Sequence, residues 1–471
     1  MSAIWWVRRD LRLNDNQALT AAVQAGGAAV PVFIMDPTLM TSEYVGKKRT
    51  AFLFASLHKL AEDLKSRGSQ LIVRRGDPLV VLKDLRTELD AGSIHAEEDY
   101  SIYARRRDRE IQKNLPLELH PGLTVYPPGM IEKKSGGPYT VYTPFRKTWQ
   151  TLSPPSRGSL LPIPSKLANP EGVASESLPA SPRWLDEHEF PAGEQAARAR
   201  LKAFTTGEIP LVYAYDELRN LVDRDGTSKL SPYLRFGMIS LREAVIYALE
   251  AREAAPDSKA RQGAQTWLQE LIWREFFINI LHHFPEVLEN SFREDYRSIQ
   301  WRNDKDEFQA WQEGRTGFPI VDAAMRQLKE TGWMHNRARM VVASFLVKDL
   351  LIDWRWGEHW FMQQLIDGDP SANNGGWQWS AGTGTDAAPY FRIFNPILQG
   401  QKHDPDGVYI RRWVPELGAL PKQYLHKPWE TPEDIQQDSD VIIGKDYPEP
   451  IIDHQVARER TLEAFARARA E

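Results

Sequence analysis

Trp267, Glu270, Trp273 and Arg274 lie in one helix-periodic stretch, 265–283. At 100° per residue, Trp267, Glu270 and Arg274 share a face, and Trp273 stands one turn beyond Glu270. A carboxylate, a guanidinium and two indoles suit a site that stacks and hydrogen-bonds a flat ligand. The plainer account is a Glu–Arg pair at i, i+4 with tryptophan packed beside it. In a second periodic run, 336–351, Asn336, Arg339 and Met340 fall on one face. Asp367 and Asp369 then precede Asn373-Asn374-Gly375-Gly376-Trp377-Gln378-Trp379. The acids do not open an EF-hand, because Ala372 stands where its glycine belongs and Gln378 where its last glutamate belongs. Small residues beside amides, carboxylates and indoles fit a heteroaromatic ligand better than an ion, so no metal is expected. Upstream, Asp225-Gly226-Thr227-Ser228-Lys229-Leu230-Ser231-Pro232 leads into a helix. Hydroxyls and free N–H groups at a helix start are phosphate ligands, with an N-cap and turn as the plainer role.

The elements carrying these residues differ between the two halves of the chain. Residues 3–120 alternate strand runs (Ala3–Val7, Val30–Met35, Leu71–Arg75, Ser93–Ala96 and a weaker Leu117–His120) with helical stretches. This predicts an α/β fold, a doubly wound, mainly parallel sheet with helices on both faces. From about 151 to 191, eight prolines break any regular element, and a long linker wrapped over the surface is expected. After Glu194 the pattern is helical, at 194–205, 241–252, 265–283, 319–331 and 336–351. The predicted organisation is an α/β domain, 1–130, a linker, 131–193, and an all-α domain, 194–471. The turn after the first strand lacks G-x-G-x-x-G and no P-loop occurs, which excludes the ordinary dinucleotide and triphosphate sites. Arg9 and Asp10 there read as capping and pairing residues.

Composition narrows the function classes. The 471 residues carry 59 Lys+Arg and 64 Asp+Glu, a net charge of −5, so binding to nucleic acid must use a local basic patch. Cysteine is absent, which excludes disulfides, thiolate metal sites and a cysteine nucleophile and fits a reducing compartment, the cytoplasm. No secretory signal or membrane span is read. Tryptophan numbers 16, concentrated between 267 and 429.

Taken together, Trp267-Leu-Gln-Glu270-Leu-Ile-Trp273-Arg274, Gly332-Trp333-Met334-His335-Asn336-Arg337 and Asp367-Gly368-Asp369 through Trp379 resemble the DNA photolyase/cryptochrome family. They most resemble its class I cyclobutane pyrimidine dimer photolyases. The likeness runs from Trp5 to about Pro415. It implies an antenna domain followed by a helical FAD-binding catalytic domain. By position, Tyr215, Thr227, Ser228, Leu230, Ser231, Trp267 and Arg274 would bind FAD through its phosphates and chain. Asn336, Arg339, Asp367, Asp369 and Asn373 would surround its ring system, with Asn373 at N5 and an Arg339–Asp367 ion pair in support. Glu270, Trp273, Asn336, Met340 and Trp379 would form the catalytic pocket for a flipped-out dimer in damaged DNA. Excited reduced FAD would give the dimer an electron and take it back, making the protein a deoxyribodipyrimidine photo-lyase. Trp377, Trp354 and Trp301 match the family's electron-transfer chain, whereas Trp311, Trp333 and Trp413 read as core. Arg337, Arg392 and Lys402 are the candidate DNA-phosphate contacts.

Asn336 and Met340 stand where six-four photolyases place histidine, which favours the cyclobutane dimer. A cryptochrome-type blue-light photoreceptor is the alternative, and it would share the FAD and the tryptophans. Tyr103-Ala104 replaces the Asn-Glu of folate-binding members, and Arg105-Arg106-Arg107-Asp108 with Asp36-Pro37 resembles the deazaflavin- or flavin-binding subgroup. The expected antenna is 8-hydroxydeazaflavin, ahead of FMN, methenyltetrahydrofolate or no second chromophore. A monomer with no membrane partner is expected.

Overall fold

A computed structural model describes residues 2–170, 172–180 and 190–470. The chain forms two compact units, one built from 1–215, 227–285 and 366–371, the other from 216–226, 286–365 and 372–471.

The first unit holds a five-stranded sheet: β1 (Ser2–Val7), β2 (Ala29–Met35), β3 (Ile72–Arg75), β4 (Ala91–Glu97) and β5 (Leu117–His120). All neighbours are parallel, in the order β3-β2-β1-β4-β5. The order reverses at β1, the doubly wound arrangement that opens a crevice beyond the strand ends. Burial follows position, since β2 is buried throughout and β1 at all but its first residue. Helices Gln17–Gly26, Lys47–Lys65, Pro78–Glu88 and Ile102–Asn114 connect the strands. Local chemistry starts three of them: Asn16 accepts from the Leu19 N–H, Asp77 from Leu79 and Val80, and Ser101 from Ala104. The proline-rich stretch is tied to the sheet, with the Ala168 N–H donating to the Ala29 carbonyl and the Glu176 N–H to that of Val73. The same unit carries helices Glu194–Thr205, Leu241–Glu253 and Ser258–His283. The last begins seven residues before the predicted start, at a cap where Asp257 accepts from Ala260. Helix Tyr142–Trp149 was not predicted; no side chain caps it, and a proline sits in its first turn.

The second unit is helical and packs around one large core containing Trp311, Trp354 and Trp377. The predicted helix 336–351 is corrected here. It runs as an α-helix over Asn336–Ser344, widens to a π-turn over Phe345–Asp349, and stops with Leu351 at φ 52°. Its polar groups are claimed by distant partners: Lys348 Nζ donates to the Ala381 carbonyl at 2.7 Å, and Asp349 meets His454 Nδ1 at 2.5 Å. Among the described residues no helix is long and apolar enough to cross a membrane.

Candidate active site

In the first unit the residues of the phosphate-type loop are held from behind. Arg200 donates to the Thr227 and Ser228 carbonyls at 2.7 and 2.9 Å. A peptide N–H lies opposite its carbonyl, so the Ser228 and Lys229 N–H groups face away from Arg200. Lys229 adopts φ 49°, a conformation that costs a non-glycine residue about 1 kcal/mol or more and is kept where the surroundings enforce it. Thr227 Oγ1 is buried with no hydrogen-bond partner among the described residues. Leu230 leads into the short Ser231–Arg235 helix, whose Leu234 carbonyl accepts from Arg274.

Next to this loop lies a buried charge cluster. Arg9 donates to Asp369 at 2.5 Å and Asp99 at 3.3 Å, and Arg235 donates to the Gly368 carbonyl at 2.7 Å. Burial raises the Asp369 carboxyl, but Arg9, Arg235 and Arg274 outweigh it and hold the group well below the usual range. Burial and the neighbouring Arg9 bring Arg235 down to about 9, and its Nη1 is buried without a hydrogen-bond partner among the described residues. Glu97 and Glu275 also face Arg274, so the cluster interleaves both signs of charge. Arg9 is thus a pairing residue, as its sequence position suggested. Asp10 accepts from Trp5 Nε1 at 2.7 Å and the Arg8 N–H at 2.8 Å, and the cap of the first helix is Asn16.

The aromatic members are equally fixed. Tyr215 and Trp267 both pack edge-on against Phe204, at 5.9 and 5.2 Å between ring centroids. Gly263 makes this possible, because a Cβ there would lie 2.3 Å from the Tyr213 carbonyl oxygen. Trp273 stacks on Tyr142 at 3.7 Å and 9°, and the Tyr142 hydroxyl donates to the Gln269 carbonyl at 2.7 Å. Tyr142 lies on the unpredicted helix, and no sequence spacing linked it to Trp273. Glu270 stands half-buried on the Trp273 helix.

In the second unit, Asn336 and Met340 come together, with Nδ2 and Sδ 3.9 Å apart. Arg339 Nε donates to the Met334 carbonyl. Asn373 Nδ2 donates to the Glu358 carboxylate at 2.8 Å and its carbonyl at 3.0 Å, leaving Oδ1 as the outer edge of the amide. Glu358, which the sequence did not single out, thus fixes the Asn373 amide. Trp377 and Trp354 are buried in one core, with Trp301 half-buried against it. The Nε1 atoms of Trp377 and Trp354 have no hydrogen-bond partner among the described residues, whereas structural Trp311 donates to the Val342 carbonyl at 3.0 Å. Trp379 is half-buried. Arg219 and Arg392 both lower the Arg337 pKa after burial, and Arg337 and Lys402 act likewise on His403, which falls to about 4. The candidate DNA contacts Arg337, Arg392 and Lys402 therefore share one positive region, joined by Arg219.

The DNA photolyase family matches residues 3–165, and the FAD binding domain of DNA photolyase matches 267–467. A deoxyribodipyrimidine photo-lyase of Agrobacterium fabrum is 41% identical over 98% of this chain and 97% of its own length. That of Escherichia coli is 40% identical over 98% of each. This chain belongs to the DNA photolyase/cryptochrome family. The crystal structure of a class III photolyase from Agrobacterium tumefaciens superimposes with a TM-score of 0.92 at 39% identity, covering 100% of this chain and 98% of that one. The Synechocystis cryptochrome does so at 0.88 and 32%, covering 98% and 99%. Both branches of the family thus share this fold. The donor set fits the FAD of photolyases: a buried Thr227 hydroxyl and an Arg235 nitrogen, both without a hydrogen-bond partner among the described residues, suit a diphosphate.

Proposed function

We propose that this family member repairs DNA in light, splitting cyclobutane pyrimidine dimers as a deoxyribodipyrimidine photo-lyase. The observation that carries the reading is the Trp273 platform, clamped on Tyr142 beside Glu270, in a chain whose full-length relatives bear that enzyme's name. Extruding a dimer costs unstacking energy, and a rigid indole face restores stacking to the displaced bases. Glu270 hydrogen-bonds the dimer, and Asn336, Met340 and Trp379 complete the pocket.

When bound, FAD supplies the photoexcited electron and accepts it back, so the repair is redox-neutral. Thr227, Ser228, Leu230, Ser231 and Arg274 hold its diphosphate and chain, with Tyr215 and Trp267 packed behind. Arg339, Asp367, Asp369 and Asn373 set the polarity around its ring, and Glu358 orients the Asn373 amide. Trp377, Trp354 and Trp301 carry electrons inward from the surface. Arg337, Arg392, Lys402 and Arg219 contact DNA phosphates.

The functional division is an antenna domain, 1–130, a linker, 131–193, and a catalytic domain, 194–471. The protein works as a cytoplasmic monomer. A second chromophore, 8-hydroxydeazaflavin, sits in the strand-end crevice, where Tyr103 donates to Asp36 at 2.5 Å and Arg107 lies over Trp6 at 4.6 Å. A Sulfolobus tokodaii photolyase structure, 30% identical with a TM-score of 0.81, is described as holding two FAD molecules and implying a novel light-harvesting cofactor. The absorption spectrum of chromophores released from the purified protein decides this point. A deazaflavin band supports the assignment, and FMN, a folate or FAD alone removes it.

The deciding experiment is blue-light treatment of a thymine-dimer oligonucleotide with chemically reduced protein, against a dark control. Light-dependent recovery of intact thymines is expected. Bound FAD without repair would turn the assignment to a cryptochrome-type photoreceptor.

A further inference from the structure

The far edge of the parallel sheet carries a cluster that the repair chemistry does not use. β4 and β5 pair with His95 beside Glu118 and Glu97 beside His120. Side chains alternate along a strand, so Ser93 and His95 of β4 and Glu118 and His120 of β5 stand on one face. His95 Nδ1 lies 3.0 Å from His120 Nε2 and 3.7 Å from Glu118 Oε2. The possible ligand atoms of all three lie within 4.8 Å of one another. Two donors each about 2.0–2.1 Å from a tetrahedral ion sit roughly 3.3 Å apart, so these spacings match neighbouring ligands of one ion. The Ser93 hydroxyl lies 2.8 Å from His95 Nε2, which fixes the ring and leaves Nδ1 as its ligating edge. His95 is buried, His120 half-buried and Glu118 exposed, giving an ion a route in from solvent.

The geometry points to a binding site for a divalent transition ion of the zinc class on the β4–β5 edge, held by His95 Nδ1, His120 Nε2 and the Glu118 carboxylate. Two imidazoles and a carboxylate select such an ion over magnesium or calcium, which take oxygen ligands. Water completes the tetrahedron. Binding requires His120 to carry its one proton on Nδ1, a tautomer change that leaves the proton count unchanged. The ion would clip the outermost strand, β5, to β4.

Full-length, FAD-loaded protein, stripped with a chelator and dialysed, is titrated with zinc chloride by calorimetry. One ion per chain is expected, with a rise in melting temperature. His120→Asn and Glu118→Gln, both at accessible positions, should each weaken binding by more than about 10-fold. Ser93→Ala should weaken it less. Unchanged flavin absorbance in the variants shows that they remain folded. Absence of binding to the parent protein, or equal affinity in His120→Asn and Glu118→Gln, overturns the site. So does zinc-edge anomalous density that lies away from His95 and His120.

Discussion

Gly357 offers the most direct test of how the tryptophan core is built. It lies in helix Trp354–Gln364, where alanine is normally preferred by about 1 kcal/mol. A Cβ at this position would lie 2.1 Å from Trp377 Cη2, 2.5 Å from its Cζ3 and 2.6 Å from Leu346 Cδ2. Reaching an ordinary contact of 3.4 Å requires the indole to move by more than 1 Å. It has nowhere to go: Trp377 is buried, with Phe361 at 4.9 Å and Trp311 at 6.1 Å. Trp311 is itself anchored through its Nε1. Forcing a methyl into a core costs about 1–3 kcal/mol, and an approach of 2.1 Å to an enclosed ring belongs at the upper end, about 2–3 kcal/mol, which outweighs the helical gain. Gly357→Ala should therefore destabilise the protein by about 1–2 kcal/mol in urea unfolding. It should also slow photoreduction of oxidised protein, because the displaced ring is Trp377. Gly376→Ala is the control: a Cβ there meets nothing within 4 Å, and up to about 1 kcal/mol of stabilisation is expected. A Gly357→Ala protein as stable as the parent, with unaltered photoreduction, would refute the packing argument.

Trp377→Phe should abolish photoreduction, followed by flavin absorbance, while chemically reduced variant repairs dimers at the parental yield. Glu270→Ala should lower repair yield with FAD still bound, measured by oligonucleotide repair per absorbed photon. Burial, opposed by Arg12, pushes the Glu97 carboxyl up to about 7, above its ordinary 4.5. The folded protein then binds an extra proton between those values, so this group's stabilising contribution is complete below about 4.5 and is lost as pH rises towards 7. Glu97→Gln should flatten the unfolding free energy across that window. Arg392→Ala should weaken binding to damaged and undamaged DNA alike and reduce the slope of log K against log salt by about 0.9 for each lost phosphate contact.

The strands of the sheet and the candidate site motifs were legible because they depend on local signals. Alternating β-branched runs, caps such as Asp77-Pro78 and the 3.6-residue period of Pro319–Thr331 act over a few neighbours. The motifs around Glu270, Asn336 and Asp367 were readable for the same reason, being short and continuous. The π-turn at Phe345–Asp349 was not. A buried lysine and aspartate draw it out of α-helical form through Ala381 and His454, which lie far along the chain.

By itself the sequence determined the parallel α/β half and the helical half, the absence of thiol chemistry, and the side chains available to the site. Tertiary structure alone decided which distant groups meet. It brought Tyr142 under Trp273, Arg9 onto Asp369, Glu358 onto Asn373 and Gly357 beneath Trp377. It gathered Arg337, Arg392 and Lys402 with Arg219, and set His95 against His120 across two strands. Each of these pairings depends on chain crossings whose free energy comes from burying whole faces, and no local pattern encodes which faces meet.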